Sequence, residues 1–426
     1  MQRPNFLILF PHRMIDYKEL TLDNGLRVLV NRDECSQMAA VNILYEVGSR
    51  NESPSQTGFA HLFEHLMFRG TERVPDFDVP VQEVCGENNA FTSADYTNYY
   101  ITTPKDNFET ALWLEADRLM GLDITPEKLA LEKSVVIEEF NQRFLNRPYG
   151  EQWHTLRQMV YTRHPYRWPV IGLTPDHIRN ASLEQVQEFY NRYYTPSNAI
   201  LAISAALPEE QVFEAVERYF GSLPRVERYA DRHFAAEPPI ESPRRKTIEA
   251  AVPADQITIA FLMGERGTRD YYICDLLTDL LAGGESARIY QHLVKEQMIF
   301  SAANAYITGE CDRGLLILTG QIAPGITVEQ AEEALYGELR RLVEEPVGDY
   351  ELQKVQNKFE ANITFGELNV MNKAMNLCYY RMLGDMSLLN GEIEIYRSIS
   401  AEEIARYIER HLNPHQSATL IYRSKR

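Results

Sequence analysis

The chain repeats itself, and this duplication constrains its fold more than any other feature of the sequence. Residues 182–196 reappear as residues 400–414, with serine, glutamate, arginine and proline at matching positions that all share one constant separation. Both copies begin with a capping box, in which a serine and a glutamine or glutamate three positions later cap each other's backbone N–H groups. Each copy therefore predicts a helix that ends at a proline, followed by a strand at residues 199–204 or 417–422.

A second pair of similar segments lies nearer the start of each half. Residues 45–48 (Tyr-Glu-Val-Gly) resemble residues 261–264 (Phe-Leu-Met-Gly), at nearly the same separation as the first pair. Between the halves, residues 223–246 carry four prolines and many charges, a composition typical of a linker. Two such similar separations over distant segments predict two copies of one structural unit.

We therefore expect an α+β protein made of two homologous α/β-roll-type domains, each a mainly antiparallel sheet packed with helices. Its length of 426 residues agrees, because that is too long for one ordinary hydrophobic core. The predicted division is a first domain at residues 1–227, a linker at 228–245 and a second domain at 246–426.

The composition narrows the classes of partner. The net charge of −18 argues against nucleic acid and against anionic membranes. The apolar run at residues 6–10 is too short to span a bilayer or to form a secretory signal. The five cysteines are scattered and form no CxxC pair, which is typical of a reducing compartment. We expect a cytoplasmic location, or a periplasmic one if a leader has been removed.

The first half contains the motif His61-Leu-Phe-Glu64-His65, within a segment of helical character at residues 57–69 that stops at Gly70. The two histidines are one helical turn apart, so both imidazoles project from one face and can bind one ion. Two imidazoles and a carboxylate suit zinc, with a fourth position left for water, and Glu64 is placed to act as the base on that water. The alternative is a surface helix with paired histidines and no metal.

A second helix offers a third ligand. Thr125-Pro126-Glu127 combines an N-cap residue, a proline at the first helical position and an acid in the first turn. Glu132 and Glu139 are seven residues apart in this helix, so they share a face two turns apart. That spacing allows Glu139 to complete the zinc site while Glu132 hydrogen-bonds a ligand histidine. An ordinary acidic helix face is the alternative.

Together the two motifs closely resemble the pitrilysin family of zinc peptidases, which includes insulin-degrading enzyme and mitochondrial processing peptidase. Its members combine H-x-x-E-H with a downstream helix that carries two glutamates seven residues apart. The length of chain between the two motifs, from His65 to Glu139, is also similar to that of the family. The resemblance implies one zinc ion per chain, bound by His61, His65 and Glu139, with Glu64 and Glu132 in catalytic roles.

The resemblance covers nearly the whole chain. Residues 22–30 resemble the family's opening hairpin, with its turn at Asn24-Gly25. Residues 86–100 resemble the edge strand of the family's active site. There Asn89 and Ala90 match residues that pair with the substrate backbone, which implies that a peptide binds as an added strand. A plain turn and strand is the alternative interpretation of this segment.

The second half lacks the zinc motif. When the two halves are aligned by the repeat, Leu277, Leu280 and Leu281 stand where the first half has its two histidines and catalytic glutamate. We therefore expect a single metal site.

The second half also departs from the family at a site of substrate contact. In the family, a second half or a partner chain supplies an arginine and a tyrosine that grip the substrate carbonyl. Here Phe300 occupies the tyrosine position, and the arginine position falls at Leu293 or Val294. The resemblance implies a heterodimer with a homologous chain that lacks the zinc motif but supplies the arginine and tyrosine. The alternative is a homodimer in which another residue, such as Tyr306, substitutes.

We therefore expect a zinc endopeptidase of the half-size, processing-peptidase-like branch, which cuts peptides or unfolded polypeptides in a chamber formed by two chains. The alternative from another class is a non-catalytic assembly subunit of the same fold, although the complete set of motif residues speaks against it. A metal-dependent hydrolase of non-peptide esters is a weaker alternative, because the strand that carries Asn89 favours an extended peptide.

Overall fold

The computed structural model of the chain describes residues 14–228 and 234–425. The apolar run at residues 6–10 lies outside the described residues, as do His12 and His233. The predicted fold class is confirmed, because the chain forms two mainly antiparallel sheets packed with helices. In the described ranges, every helix is too short or too polar to cross a lipid bilayer.

Within the described residues, the first half contributes six strands and eight α-helices. The strands are β1 (Lys18–Thr21), β2 (Arg27–Arg32), β3 (Met38–Tyr45), β4 (Glu87–Thr92), β5 (Thr97–Pro104) and β6 (Ala199–Ala205). The helices are α1 (Phe59–Leu66), α2 (Asp78–Glu83), α3 (Phe108–Met120), α4 (Pro126–Phe140), α5 (Gln152–Val160), α6 (Pro175–Arg179), α7 (Leu183–Tyr193) and α8 (Glu209–Phe220). A π-helical turn, Asn141–Leu145, continues α4.

In the described part of the second half there are five strands and six α-helices. The strands are β7 (Arg244–Ala250), β8 (Gln256–Leu262), β9 (Phe300–Ile307), β10 (Leu315–Ile322) and β11 (Ser417–Ser424). The helices are α9 (Arg269–Ala282), α10 (Val328–Glu344), α11 (Asp349–Gly366), α12 (Val370–Leu383), α13 (Leu388–Arg397) and α14 (Ala401–His411). A π-helical segment, Ile289–Glu296, precedes β9.

The two sheets share one strand order over five strands, and β1 is an additional edge strand of the first sheet. The first has the order β1-β2-β6-β3-β5-β4 and the second the order β7-β11-β8-β10-β9. In each sheet one pair is parallel, β2 with β6 and β7 with β11, and the other neighbours are antiparallel. The duplication predicted from the sequence is therefore present in the strand order, and β4 and β9 form equivalent edges.

Local sequence signals account for the ends of several elements. Ser182 and Ser400 cap α7 and α14 through capping boxes, and their hydroxyls accept hydrogen bonds from the N–H groups of Gln185 and Glu403. Gly25 has a φ of +93° in the turn between β1 and β2, as the predicted hairpin requires. The helix predicted at residues 57–69 is shorter, because after Leu66 the chain tightens into bonds between residues three apart.

One helix from each half packs on the sheet of the other half. Helix α12 of the second half packs on β3 and β6, where Ala374 and Leu377 join Ala40 and Leu44 in one buried cluster. In return α5 of the first half packs on β8 and β11 of the second sheet. Because α12 covers one face of the first sheet and α1, α3 and α8 cover the other, β3 is almost wholly buried.

The connection between the halves is irregular where the structure describes it, from Gly221 up to the start of β7. Strand β7 begins at Arg244, inside the segment whose composition suggested a linker. This charged sequence forms a strand because β7 lies at the edge of its sheet, where charged residues are tolerated and protect the free edge. The domain limits at residues 227 and 246 stay predictions.

Candidate metal centre

Helix α1 has a buried aromatic face and a face that carries the motif. Phe59 and Phe63 pack against Phe189 of α7, with ring centroids 6.0 and 5.1 Å apart. His61 and His65 lie on the side that faces α4. The aromatic packing therefore fixes the rotation of α1 and directs both imidazoles toward the second helix.

The N-terminus of α1 is capped by a distant carboxylate. Gly58, the residue before the helix, has a φ of +92° and no side chain to cap it. Glu52 accepts hydrogen bonds from the N–H groups of Gly58 and Ala60, at 2.9 and 2.8 Å, and is 8% exposed. Glu52 thus anchors the helix that carries the motif.

Three side chains from α1 and α4 converge between the two helices. Glu139 Oε2 lies 3.6 Å from His61 Nε2 and 3.5 Å from His65 Nε2. Ligand atoms of a tetrahedral zinc site, with bonds of about 2.0–2.1 Å, lie about 3.3 Å apart, so the side chains stand close to ligand spacing. Among the residues that the structure describes, no other three histidine, cysteine, aspartate or glutamate groups converge in this way. Two imidazoles and one carboxylate fit a zinc ion.

Glu132 orients one of the two imidazoles. It is 1% exposed, and its Oε2 lies 3.3 Å from His65 Nδ1. Its other oxygen pairs with Arg69 Nε, so the buried carboxylate contacts partners on both sides. A carboxylate on Nδ1 fixes the tautomer that leaves Nε2 free for a metal. Glu132 therefore contacts a candidate ligand and is not one of the converging groups.

The two imidazoles differ in protonation. Burial lowers the pKa of His61 to about 4, so this ring is neutral at pH 7 and ready to bind a metal. Burial also acts to lower the pKa of His65, but the hydrogen bonds to Glu132 and Glu139 outweigh it and raise this pKa to about 9. A metal ion must therefore displace a proton from His65.

Glu64 projects beside the converging groups and outside them. Its Oε2 accepts a hydrogen bond of 2.6 Å from the hydroxyl of Thr92, the last residue of β4. Burial raises the pKa of Glu64, while the bond from Thr92 lowers it. A half-buried carboxylate held at one oxygen can use the other to accept a proton.

Asn89 and Ala90 lie in β4, opposite Tyr100 and Tyr99 of β5, at the free edge of the first sheet. The Asn89 side chain accepts a hydrogen bond of 2.8 Å from the Ala90 N–H. Helix α1 contacts β4 directly. An extended peptide that displaced this local bond would lie beside the candidate metal centre.

In the second half, the positions that correspond to the zinc motif and to the substrate-contacting residues of the family carry apolar side chains. Leu277, Leu280 and Leu281 lie in α9 and are at most 2% exposed, so they form part of the hydrophobic core. Phe300 is also buried, and its ring lies directly over Gly320. Leu293 is 2% exposed. None of these side chains offers a polar group to a substrate.

The structure thus brings together His61, His65 and Glu139, and places Glu64 and Glu132 around them. The catalytic and ligand roles of these residues stay predictions, as does substrate binding at Asn89 and Ala90. Sequence reasoning missed four further side chains that support the site: Glu52, Arg69, Thr92 and Arg143. Arg69 stands one helical turn after His65, a spacing that could have suggested it. The contact of Thr92 depends on the strand position, and that of Glu52 on a loop.

Two family models match the chain, one within the first half and one that begins late in the first half and extends into the second. The model described as insulinase (peptidase family M16) matches residues 27–152, and the model described as the peptidase M16 inactive domain matches residues 180–359. The candidate metal centre falls within the first match, and the corresponding apolar positions of the second half fall within the second.

Individual proteins are similar over most of the chain. The zinc protease PqqE of Helicobacter pylori is 26% identical over 409 residues, which cover 95% of this chain and 92% of that protein. A solved structure of a protease from Helicobacter pylori has a TM-score of 0.91 at 26% identity and covers 96% of this chain and all of that one. The probable mitochondrial-processing peptidase subunit beta of Arabidopsis thaliana is 27% identical over 244 residues, which cover 57% of this chain and 46% of that protein.

Proposed function

Because this chain belongs to peptidase family M16, the pitrilysin family, we propose that it is a zinc endopeptidase acting on peptides or unfolded polypeptides. The observation that carries the proposal is the convergence of His61, His65 and Glu139 beside the separate carboxylate of Glu64. When bound by these ligands, zinc would act as a Lewis acid and lower the pKa of a coordinated water to about 7. Relatives named zinc proteases support the choice of metal.

Three other residues of this chain have separate roles in the proposed reaction. Glu64 accepts the proton of the attacking water at its free oxygen and passes it to the leaving amine. Thr92 holds the other oxygen, which keeps the carboxylate turned toward the substrate side of α1. Glu132 keeps His65 in the tautomer that binds a metal.

Substrate would be bound along the free edge of β4. The Ala90 N–H, which bonds the side chain of its neighbour Asn89, would be available to a substrate carbonyl once Asn89 turns away. Main-chain pairing of this kind selects for extended segments and tolerates many side chains. This favours unfolded polypeptide over a folded protein or a small ester as the substrate.

The working unit would contain two chains. Phe300 and Leu293 are buried, Val294 is half-buried and all three are apolar, so the second half offers no donor at the positions where the family places its tyrosine and arginine. A homologous chain without the zinc motif would supply both groups across a closed chamber. One similar protein is by name a processing-peptidase subunit, which agrees with a paired arrangement. A homodimer stays the alternative.

A second candidate function is that of a non-catalytic subunit with the same fold. It is favoured by the missing donors of the second half and by the match of residues 180–359, most of which lie in that half, to a model described as an inactive domain. Such a subunit has no need of the orientation of His65 by Glu132 or of Glu64 by Thr92. The complete site therefore favours the peptidase.

Removal of the metal is expected to abolish peptide cleavage, and zinc is expected to restore it. The chain should be incubated with unstructured peptides of mixed sequence, alone and with a homologous partner, and the products identified by mass spectrometry. A chelator treatment followed by zinc, with magnesium as the control, isolates the metal. Cleavage that persists in the chelated protein would contradict a zinc peptidase. An absence of products under all conditions would favour the non-catalytic subunit.

A further inference from the structure

The guanidinium of Arg143 pairs with Glu139, the third candidate metal ligand. Arg143 Nη2 lies 2.7 Å from Glu139 Oε1, and the Arg143 side chain is 62% exposed. The other oxygen of Glu139 is the one that lies 3.5–3.6 Å from the two imidazoles. The two oxygens of one carboxylate therefore have different partners, a cation on one side and the converging histidines on the other.

The local backbone accounts for this arrangement. Arg143 follows Glu139 by four residues, the spacing at which side chains of successive helical turns meet. It lies in the π-helical turn that continues α4, where the Asn146 N–H bonds the Asn141 carbonyl five residues back. Such turns are rare and are often found at functional sites. The turn keeps Arg143 close to the metal centre.

We propose that Arg143 is a positioning residue that keeps Glu139 a one-oxygen ligand and so reserves the fourth coordination position for water and substrate. This inference rests on the proposed function, because it concerns the same zinc site. A carboxylate can bind a metal through one oxygen or through both. The Arg143 guanidinium forms an ion pair with Oε1, which leaves Oε2 alone directed at the imidazoles. Without Arg143, Oε1 is free to turn inward and take the position that the substrate needs.

An ordinary surface ion pair is the competing explanation, since exposed pairs at this spacing contribute little to stability. The neighbouring pair offers the comparison. Gln142 donates to Glu138 Oε1 at 3.3 Å with the same four-residue spacing, and both of these side chains are exposed and away from the converging groups. What distinguishes the Arg143 pair is that its acceptor also faces the two histidines.

Cobalt(II), bound in place of zinc, reports this coordination by its visible absorption. Four-coordinate cobalt absorbs strongly, and a fifth ligand atom weakens its bands. We expect intense bands in the wild-type protein and in Arg143→Lys, whose ammonium can still donate to Oε1. Arg143→Ala should show a loss of intensity, and Gln142→Ala, the matched control, should keep the wild-type spectrum. Peptide hydrolysis by zinc-loaded Arg143→Ala should fall about 10–100-fold, as for other residues that orient metal ligands.

The possible results separate this inference from the function on which it rests. Identical four-coordinate spectra in wild type and Arg143→Ala would overturn the inference and leave the zinc site intact. A wild-type protein that binds no cobalt would overturn both. Because Arg143 is exposed, its replacement should not unfold the chain, and circular dichroism with a thermal melt checks this for each variant. A loss of intensity in Arg143→Ala alone would support the proposed role.

Discussion

Replacing Glu64 with glutamine is expected to lower the rate of peptide hydrolysis about 10²–10⁴-fold, the usual effect of losing a positioned general base. The amide keeps the size of the side chain and can still accept the hydrogen bond from Thr92, so α1 and β4 should keep their relative positions. Zinc content should not change, because Glu64 is not among the converging ligand groups. The variant therefore separates catalysis from metal binding and from folding.

The matched control is Glu138→Gln, which makes the same chemical change at an exposed glutamate whose side chain contacts Gln142. Its hydrolysis rate should equal that of the wild type. Both variants should be assayed with the partner chain present, at saturating peptide, and their zinc content measured on the same samples. If Glu64→Gln hydrolysed peptides at the unmutated rate, Glu64 would not be the base.

A homologous partner that carries the arginine and tyrosine is expected to raise the hydrolysis rate of this chain about 10²–10³-fold, the usual effect of gaining a missing oxyanion donor. The reason is that the second half of this chain has no hydrogen-bond donor at the positions of this arginine and tyrosine. Phe300 has no hydroxyl and lies buried over Gly320. Leu293 and Val294, the two candidates for the arginine position, are apolar and cannot donate to a substrate carbonyl.

The assay compares this chain alone, the mixture, and mixtures in which the partner's arginine or tyrosine has been replaced. Activation should be lost with either replacement, and the mass in solution should show one copy of each chain. Full activity from a monomer or a homodimer would contradict the heterodimer. In a homodimer Tyr306 would be the donor to examine, although its ring packs edge-on against Trp153 at 6.2 Å.

Much of the fold was predictable from local sequence signals. The capping boxes at Ser182 and Ser400 predicted two helix starts, and the offset between them predicted two equivalent sheets. The exchange of α5 and α12 was not predictable, because nothing in an amphipathic pattern says which sheet a helix will cover. The extent of β7 was also missed, since its charged residues are typical of a linker as well as of an edge strand.

Helical periodicity predicted which residues of the metal centre share a helix face. One turn separates His61 from His65 and two turns separate Glu132 from Glu139, so each helix places its pair on one face. That the two faces meet depends on packing between α1 and α4, and the family resemblance supplied this step. The supporting contact of Thr92 requires the register of β4 against α1, and Glu52 acts across a loop. Neither of these two contacts can be predicted from a periodic spacing of residues in the sequence.

The amount of zinc bound per chain tests most directly whether His61, His65 and Glu139 form a metal centre. The protein should be purified without chelators, analysed for metals by mass spectrometry, and then titrated with zinc after chelation. We expect about one zinc per chain, weaker binding in Glu139→Gln because a neutral amide is a poorer ligand for a dication, and wild-type binding in the adjacent Glu138→Gln. A protein that contains no zinc and takes up none on titration would contradict the metal centre at His61, His65 and Glu139.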